Sequence, residues 1–249
     1  MSDVEVRVRK DRGAVAVFTA PWQLVANGEN ENCPVLVPEE LSAEVSAGAV
    51  RLTLSEHQIR VMAAYHEAGH GAIYRIIGVP VERIELSGHG ASGRTRYPAG
   101  QESQYLPYWI AGGLAGGVAA ELHLERECLA TAHNLFLAHL QCAVDHRRLF
   151  ELQAPMRLAF YYGLSEPVPW NTETAHIAID PMRAAARRLL DEAWPAVTAL
   201  AEHLLAHGHA DLTALAALPF TATSIDEVHS ILDTGMATTS PWARRAAGS

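Results

Sequence analysis

The chain is organised around residues 64–72, which read Ala64-Tyr65-His66-Glu67-Ala68-Gly69-His70-Gly71-Ala72. Two histidines four residues apart lie one turn above the other on the same face of a helix, so their imidazoles can bind one small cation. Glu67 can point at the open coordination position of that cation, where water would need a base. The pattern His66-Glu67-x-x-His70 therefore predicts two zinc ligands and a general base.

The alternative is that both histidines belong to a structural helix in a histidine-rich chain, which has 13 His among 249 residues. Composition alone predicts well below one chance match to the five-residue pattern. Gly69 costs about 1 kcal/mol of helix stability relative to alanine, which makes sense if another backbone approaches beside the ligands. The flanking residues favour a zinc site because they supply the apolar surround of a buried helix. These are Val61, Met62, Ala64, Tyr65, Ala68, Ala72, Ile73, Ile76 and Ile77.

Composition and charge restrict the class of protein. The chain is long enough to bury a sizeable core without disulfides. Its three cysteines, Cys33, Cys128 and Cys142, are odd in number and lack C-x-x-C spacing, which disfavours a disulfide framework and a thiolate zinc site. The formal net charge of −9 disfavours a nucleic-acid or anionic-membrane surface. Because no stretch approaches 18 consecutive apolar residues and the start lacks the apolar region of a signal peptide, we expect a cytoplasmic protein with no membrane span.

The first 54 residues are predicted to form a small β-rich segment. Residues 4–9 alternate strictly between apolar and charged side chains, and residues 14–18 follow a turn signal, which together predict a hairpin. Residues 21–40 are predicted to be a loop. Residues 49–54 are predicted to form a third strand.

The motif helix and its neighbours follow. Ser55-x-x-Gln58 has the form of a capping box and predicts the start of the motif helix, which should end near Gly78. Residues 81–87 alternate with period two and predict a strand, and residues 88–100 predict a mobile loop.

Helical patterns dominate from Tyr105 onward. Gly112-Gly113 and Gly116-Gly117 permit close helix packing, and residues 128–150 predict a second long helix. Pro195 should kink or split a later helix, and Asp211 should begin a short one. The predicted organisation is a β-rich segment over residues 1–54, one mostly helical domain over residues 55–237 and a disordered tail over residues 238–249.

The strand at residues 81–87 carries a further expectation. A strand beside the motif helix of a zinc peptidase can pair with an extended substrate through a free edge. We therefore predict that Ile84, Glu85 and Leu86 bind substrate. The alternative is a plain core strand.

A catalytic zinc needs a third protein ligand, because its fourth position is kept for water. Spacing alone does not choose among the downstream candidates. They are Glu121, His123, Glu125, His133, His139, Asp145 and His146.

The motif helix and several later segments resemble the peptidase domain of the FtsH family of membrane-bound AAA proteases. After residues 64–72 come a Gly/Pro turn and a Val-x-x-Ile-x-Leu strand, and residues 110–122 are similar to that family's Gly-Gly-Arg-x-Ala-Glu-Glu-Leu helix. Residues 143–149 resemble its Ser-Asp-x-x-x-Ala segment, and Tyr162-Gly163-Leu164-Ser165 is similar to its Trp-Gly-Met-Ser. The resemblance extends over residues 55–217.

The resemblance implies a mostly α (α+β), zincin-like fold and a zinc metallopeptidase activity with Zn²⁺ as cofactor. It implies that His66 and His70 are ligands, that Glu67 is the base and that Asp145 is the third ligand. It further implies that the Glu121 carboxylate orients a ligand histidine. The other candidates for the third ligand remain Glu121, His139 and His146.

The chain also departs from the family. Leu114, Ala120 and Val144 stand where the family has arginine, glutamate and serine. The chain contains no P-loop, AAA module or transmembrane helix, so ATP-driven unfolding and the family's ring-shaped hexamer are not implied. We expect a domain that acts alone on a short peptide, a flexible terminus or a small protein. The cleavage preference and the oligomeric state stay open.

The predicted function is therefore ATP-independent hydrolysis of peptide bonds. One alternative is a zinc-dependent amide hydrolase or a tailoring enzyme of a biosynthetic pathway, because the same Lewis-acid chemistry serves other carbonyls. Another is a non-catalytic binding module of the same fold, which only the three departures from the family pattern support.

Overall fold

The computed structural model describes residues 5–9, 15–19, 33–36, 53–87, 93–96, 108–142, 145 and 183–218. These residues are mostly helical with small antiparallel sheets, which confirms the predicted α+β class. No helix in these ranges combines the length and the apolar character needed to cross a lipid bilayer. In chain order the elements are β1 (Glu5–Arg9), β2 (Val15–Thr19), β3 (Cys33–Leu36), α1 (Glu56–Ile76), β4 (Arg83–Leu86), β5 (Gly93–Arg96), α2 (Tyr108–Arg126), α3 (Ala132–Gln141), α4 (Trp194–His207), β6 (His209–Asp211) and α5 (Leu212–Ala217). Residues 183–192 are also helical.

The first three strands form an antiparallel sheet in the order β1-β2-β3, which confirms the predicted hairpin. β3 lies inside the segment that was predicted to be a loop, so that prediction is wrong for Cys33–Leu36. Pro34 signals a break, but β3 lies at the end of the strand order, where a residue without an N–H group is tolerated. The strand predicted at residues 49–54 falls mostly outside the described residues.

α1 begins at the predicted capping box. The Ser55 hydroxyl accepts a hydrogen bond from the Gln58 N–H group at 3.3 Å, and the Gln58 side chain accepts one from the Ser55 N–H group at 2.9 Å. These bonds satisfy two amides that the first turn of a helix leaves without a partner. From Met62 onward the helix is buried on almost every side. α1 is therefore the core of the domain rather than a surface helix.

Two other helices and a sheet surround α1. α2 and α4 pack against it, and so do β4 and β5. A Cβ atom added to Gly69 would lie 2.5 Å from the carbonyl oxygen of Ala115 in α2. The close backbone approach expected from this glycine is therefore present.

The second sheet has the antiparallel order β5-β4-β6. In the central strand, Ile84 stands opposite Thr95 of β5 and Ala210 of β6. Both edges of β4 are thus paired, and the prediction that this strand offers a free edge is wrong. The reason is β6, which is only three residues long and too short to give a periodic signal. β5 also shows that the predicted loop over residues 88–100 is wrong for Gly93–Arg96, and the rest of that range lies outside the described residues.

The predicted helix over residues 128–150 is interrupted at its start. Cys128 adopts a left-handed conformation with φ of 57°, and the N–H group of Leu129 donates to the carbonyl oxygen of Leu124 at 2.7 Å. This reversal ends α2, as left-handed residues commonly do at helix C-termini. Thr131 then caps the first turn of α3. The predicted helix therefore begins at Ala132 instead of Cys128, and residues 143, 144 and 146–150 lie outside the described residues.

Two predicted helix signals are confirmed further on. Pro195 lies in the first turn of α4, where its missing N–H group leaves no hydrogen bond unmade, and it separates this helix from the helical residues 183–192. The Asp211 carboxylate accepts a hydrogen bond from the Ala214 N–H group at 2.9 Å and caps α5. The division into three segments stays a prediction, and the tail over residues 238–249 lies outside the described residues.

Candidate metal centre

The side chains of His66, His70 and Asp145 converge beside α1. The Nε2 atoms of the two histidines are 3.1 Å apart, and Oδ2 of Asp145 lies 3.1 Å from the first and 3.3 Å from the second. Tetrahedral ligands placed about 2.0–2.1 Å from a zinc ion lie about 3.3–3.4 Å from one another. The three atoms, called the ligand triangle below, therefore have nearly the spacing of a zinc ligand set and could hold a metal ion.

α2 fixes the tautomer of His70. The Nδ1 atom lies 2.7 Å from the carbonyl oxygen of Gly112. Because a carbonyl oxygen only accepts hydrogen bonds, Nδ1 must carry the hydrogen and donate it. In the neutral ring Nε2 then presents a lone pair to the ligand triangle, which is the state that metal binding requires.

The Nδ1 atom of His66 faces a thiol instead of a carbonyl oxygen. Its Nδ1 atom lies 3.8 Å from Sγ of Cys142, and the thiol donates its own hydrogen to the carbonyl oxygen of Ala138 at 3.0 Å. Burial, followed by the negative charge of Asp145, raises the pKa of the Cys142 thiol well above its usual range. The thiol therefore stays protonated and orients His66 rather than competing as a ligand. No residue spacing in the sequence predicts this contact.

Charge in the ligand triangle is balanced by close pairing. Burial favours a neutral Asp145 carboxyl, but the imidazoles of His70 and His66 hold its pKa well below its usual range. Burial also opposes a charged His70, yet the Asp145 carboxylate raises the pKa of His70 to about 9. The buried carboxylate of Asp145 is therefore stabilised by a positive charge beside it. A proton or a divalent cation can supply that charge.

Glu67 is directed towards β5. The Thr95 hydroxyl donates a hydrogen bond to Oε2 of Glu67 at 3.0 Å. A Cβ atom added to Gly93 would lie 2.7 Å from the carboxyl carbon of Glu67, so glycine leaves the space that this side chain occupies. Burial raises the pKa of Glu67, while the neighbouring His66 and His70 oppose that rise. A buried carboxylate with a raised pKa is suited to accept a proton near neutral pH.

Gly116 of α2 faces the ligand triangle. A Cβ atom added there would lie 2.7 Å from Nε2 of His66 and still closer to Nε2 of His70. Real Cβ contacts are not this short, so glycine is needed where α2 passes the Nε2 atoms of the two histidines. From the sequence, the Gly116-Gly117 pair predicts only close helix packing.

The structure thus brings together four predicted site residues, His66, Glu67, His70 and Asp145. Glu121 is buried and forms an ion pair with Arg183. Its predicted role in orienting a ligand histidine stays a prediction.

The other candidates for the third ligand have separate surroundings. The ring of His123 stacks on Tyr65 with centroids 4.1 Å apart. Glu125 forms an ion pair with Arg187. His146 and the side chain of His139 fall outside the described residues. Within the described residues, Asp145 completes the group with the two histidines.

The predicted substrate residues lie in a paired strand. Ile84 and Leu86 are buried towards the core. Glu85 lies on the outer face, where its carboxylate binds Arg83 at 2.7 Å and Arg96 at 3.1 Å. None of the three therefore lines a free edge, and that part of the prediction is corrected.

No model of a known protein family matches the chain, and no curated protein matches it either.

Proposed function

We propose that this chain is a zinc-dependent metallopeptidase that hydrolyses peptide bonds in short or flexible peptides. The observation that carries the proposal is the convergence of two Nε2 atoms and one Oδ2 atom within 3.1–3.3 Å, with Glu67 beside them. Two imidazoles and one carboxylate are a donor set of catalytic zinc sites, which leave one position open. A structural zinc site would instead be closed by four protein ligands.

The chain's own residues supply the proton transfers. When bound, zinc would polarise the scissile carbonyl and lower the pKa of water. Glu67 is the base that accepts the proton of the attacking water and hands it to the leaving amine. The Thr95 hydroxyl anchors Oε2 of Glu67 and so fixes the direction of the carboxylate. The Gly112 carbonyl holds His70 in the required tautomer.

β5 supports a peptide as the substrate. It pairs with β4 along one edge, and in the described part of the chain no strand pairs with its other edge. An extended peptide can add to such an edge through backbone hydrogen bonds. Because Thr95 of β5 contacts Glu67, a peptide on this edge would run beside the base. A small amide would gain nothing from a strand edge, which favours the peptidase over the amide hydrolase.

The test compares substrate classes on the zinc-loaded chain in buffer without nucleotide. A library of unstructured peptides is incubated with the protein and analysed by mass spectrometry, in parallel with a panel of small amides. We expect cleavage at defined peptide bonds and about one zinc per chain by elemental analysis. Hydrolysis of small amides with no cleaved peptide would overturn the proposal in favour of the amide hydrolase. Zinc-free protein after metal-replete expression would overturn the metal assignment itself.

A further inference from the structure

The two faces of β5 differ in chemistry. Gly93 and Thr95 lie on the inner face against Glu67, whereas Arg94 and Arg96 are exposed on the outer face. Side chains alternate between the faces of a strand, so the two arginines stand on the same side. They do so in a chain whose formal net charge is −9. Positive charge is therefore concentrated on β5, although the chain as a whole is negatively charged.

The neighbouring strand does not neutralise this charge. On β4, Arg83 stands opposite Arg96, and Glu85 stands opposite Arg94. The Glu85 carboxylate binds Arg83 and Arg96. Arg94 forms no ion pair with any residue that the structure describes. On the outer face of these two strands, three guanidinium groups thus share one carboxylate.

The acidic residue of β6, Asp211, lies on the side of β4 away from β5. Asp211 of β6 stands opposite Arg83, with β4 between it and β5. Arg83 contributes to lowering the pKa of the Asp211 carboxyl, although the larger cause is the Ala214 N–H group that this carboxylate caps. The acidic groups Glu85 and Asp211 therefore lie on β4 and β6, and the described residues of β5 contain no acid. The excess positive charge lies at β5, the edge that we assign to substrate.

We propose that β5 selects peptides with acidic side chains at alternate positions, one beside Arg94 and one beside Arg96. The inference rests on the proposed function, because it assigns the substrate class of the same site. A peptide strand added to β5 would point every second side chain to the outer face, about 4.5–5.5 Å from its cross-strand neighbour. Arginine binds carboxylates there in a two-pronged geometry. The selected pattern is therefore acidic-x-acidic.

The two arginines contribute unequally. Arg94 is exposed and has its charge available, whereas Arg96 must exchange Glu85 for the peptide carboxylate. An exposed ion pair changes affinity by up to about fivefold, and less at high salt. We therefore expect the larger share of the selectivity from Arg94.

The test measures binding of two fluorescent peptides to the zinc-loaded Glu67→Gln variant by anisotropy at low salt. The peptides are identical Thr/Val-rich strands with Glu-x-Glu or Gln-x-Gln at their centre. We expect the acidic peptide to bind about fivefold or more tightly, and Arg94→Ala to remove most of that difference. Arg94→Glu should reverse it in favour of a Lys-x-Lys peptide. Arg188→Ala, which alters an exposed arginine paired with Glu192 on the helical residues 183–192, is the matched control and should change nothing.

Equal binding of the two peptides would overturn the inference, and so would an Arg94→Glu variant that keeps the acidic preference. The arginines would then only protect the strand edge from self-association. Cleavage of peptides by the parent chain without any charge preference would leave the proposed function standing and remove this inference alone. Acid-selective binding without cleavage of any peptide would support the charge preference of β5 and overturn the proposed peptidase activity. Circular dichroism and zinc content confirm that each variant is folded.

Discussion

The two walls of the candidate site are built in opposite ways. On the α2 side, Gly116 and the Gly112 carbonyl meet the ligand histidines so closely that there is no space for one more carbon atom. On the β5 side, Thr95 contacts Glu67 from a strand whose outer face is exposed and charged. The difference indicates a division of labour. In the proposed enzyme, α2 would fix the geometry of the metal ligands, and β5 would position the base and receive the substrate.

The largest effect is expected at the residue between the two walls. Glu67→Gln should keep the zinc and the fold but lose the proton acceptor, because an amide can bind water without taking its proton. Loss of a general base lowers the rate by about 100- to 10,000-fold. Cleavage of an identified peptide and zinc content are measured together. A Glu67→Gln variant that cleaves at the parent rate would show that another group is the base.

The second largest effect is expected when a metal ligand is removed, and it is measured as a loss of zinc affinity. Asp145→Ala should weaken zinc binding by at least about 100-fold, the upper end of the range for residues that only support ligands. Glu121→Ala is the matched comparison, because it removes a buried carboxylate that forms an ion pair with Arg183 and is not part of the ligand triangle. Zinc affinity is measured by competition with a chelator. Full retention of zinc in Asp145→Ala would reassign the third ligand.

The motif helix and the second sheet also differ in how far the sequence predicts them. His66, Glu67 and His70 follow from the sequence because one helix fixes their spacing, and a helix is a local structure. Asp145 could not be chosen from spacing alone, since its position depends on how α1 meets a segment more than 70 residues later; only the family resemblance singled it out. Gly69 could be interpreted because glycine inside a helix needs a reason. These predictions rest on local periodicity or on a recurring motif.

Two of the three strands of the second sheet, β5 and β6, escaped prediction for the opposite reason. β6 has three residues and β5 has four, so neither shows a periodic pattern, and both gain their conformation by pairing with β4. The free edge was therefore assigned to β4 instead of β5. Cys142 and Thr95 escaped for a related reason. Each contacts a residue of α1 that is far away along the chain, and no motif marks it.

A methyl group added to the α2 wall tests how rigid that wall is. Gly116→Ala should weaken zinc binding by about 10- to 100-fold, because the new Cβ atom would displace Nε2 of His66 and of His70. Gly113→Ala adds the same methyl group to a partly exposed position of the same helix and serves as control. Isothermal titration of zinc into the two apo variants separates them. Equal affinities would mean that α2 yields easily and that the comparison of the walls is wrong.

A substitution in the β5 wall should affect rate and leave the metal untouched. Thr95→Val keeps the shape of the side chain but removes the hydroxyl that donates to Glu67. We expect cleavage to slow by about tenfold, since a hydrogen bond to a carboxylate contributes about 1.5 kcal/mol and this one also fixes the direction of the base. Zinc affinity should stay unchanged. Thr95→Ser, which restores the donor, should recover most of the rate, and a loss of zinc in Thr95→Val would contradict the division of labour.

The smallest effect is expected at Cys142, which supports His66 through a soft and long contact. The thiol sulfur lies 3.8 Å from Nδ1, so it orients the ring more weakly than the Gly112 carbonyl orients His70 at 2.7 Å. Cys142→Val replaces the sulfur acceptor with methyl groups and should lower zinc affinity severalfold, below the roughly 10- to 100-fold typical of strong supporting residues. Cys128→Ser changes the exposed cysteine and should have no effect. Nitrogen chemical shifts of His66 provide a readout that packing alone would not move, because loss of the acceptor at Nδ1 allows the other tautomer to be populated. If Cys142→Val leaves both the tautomer and the zinc affinity unchanged, the thiol only fills space, and α2 and the Asp145 carboxylate determine the ligand geometry without it.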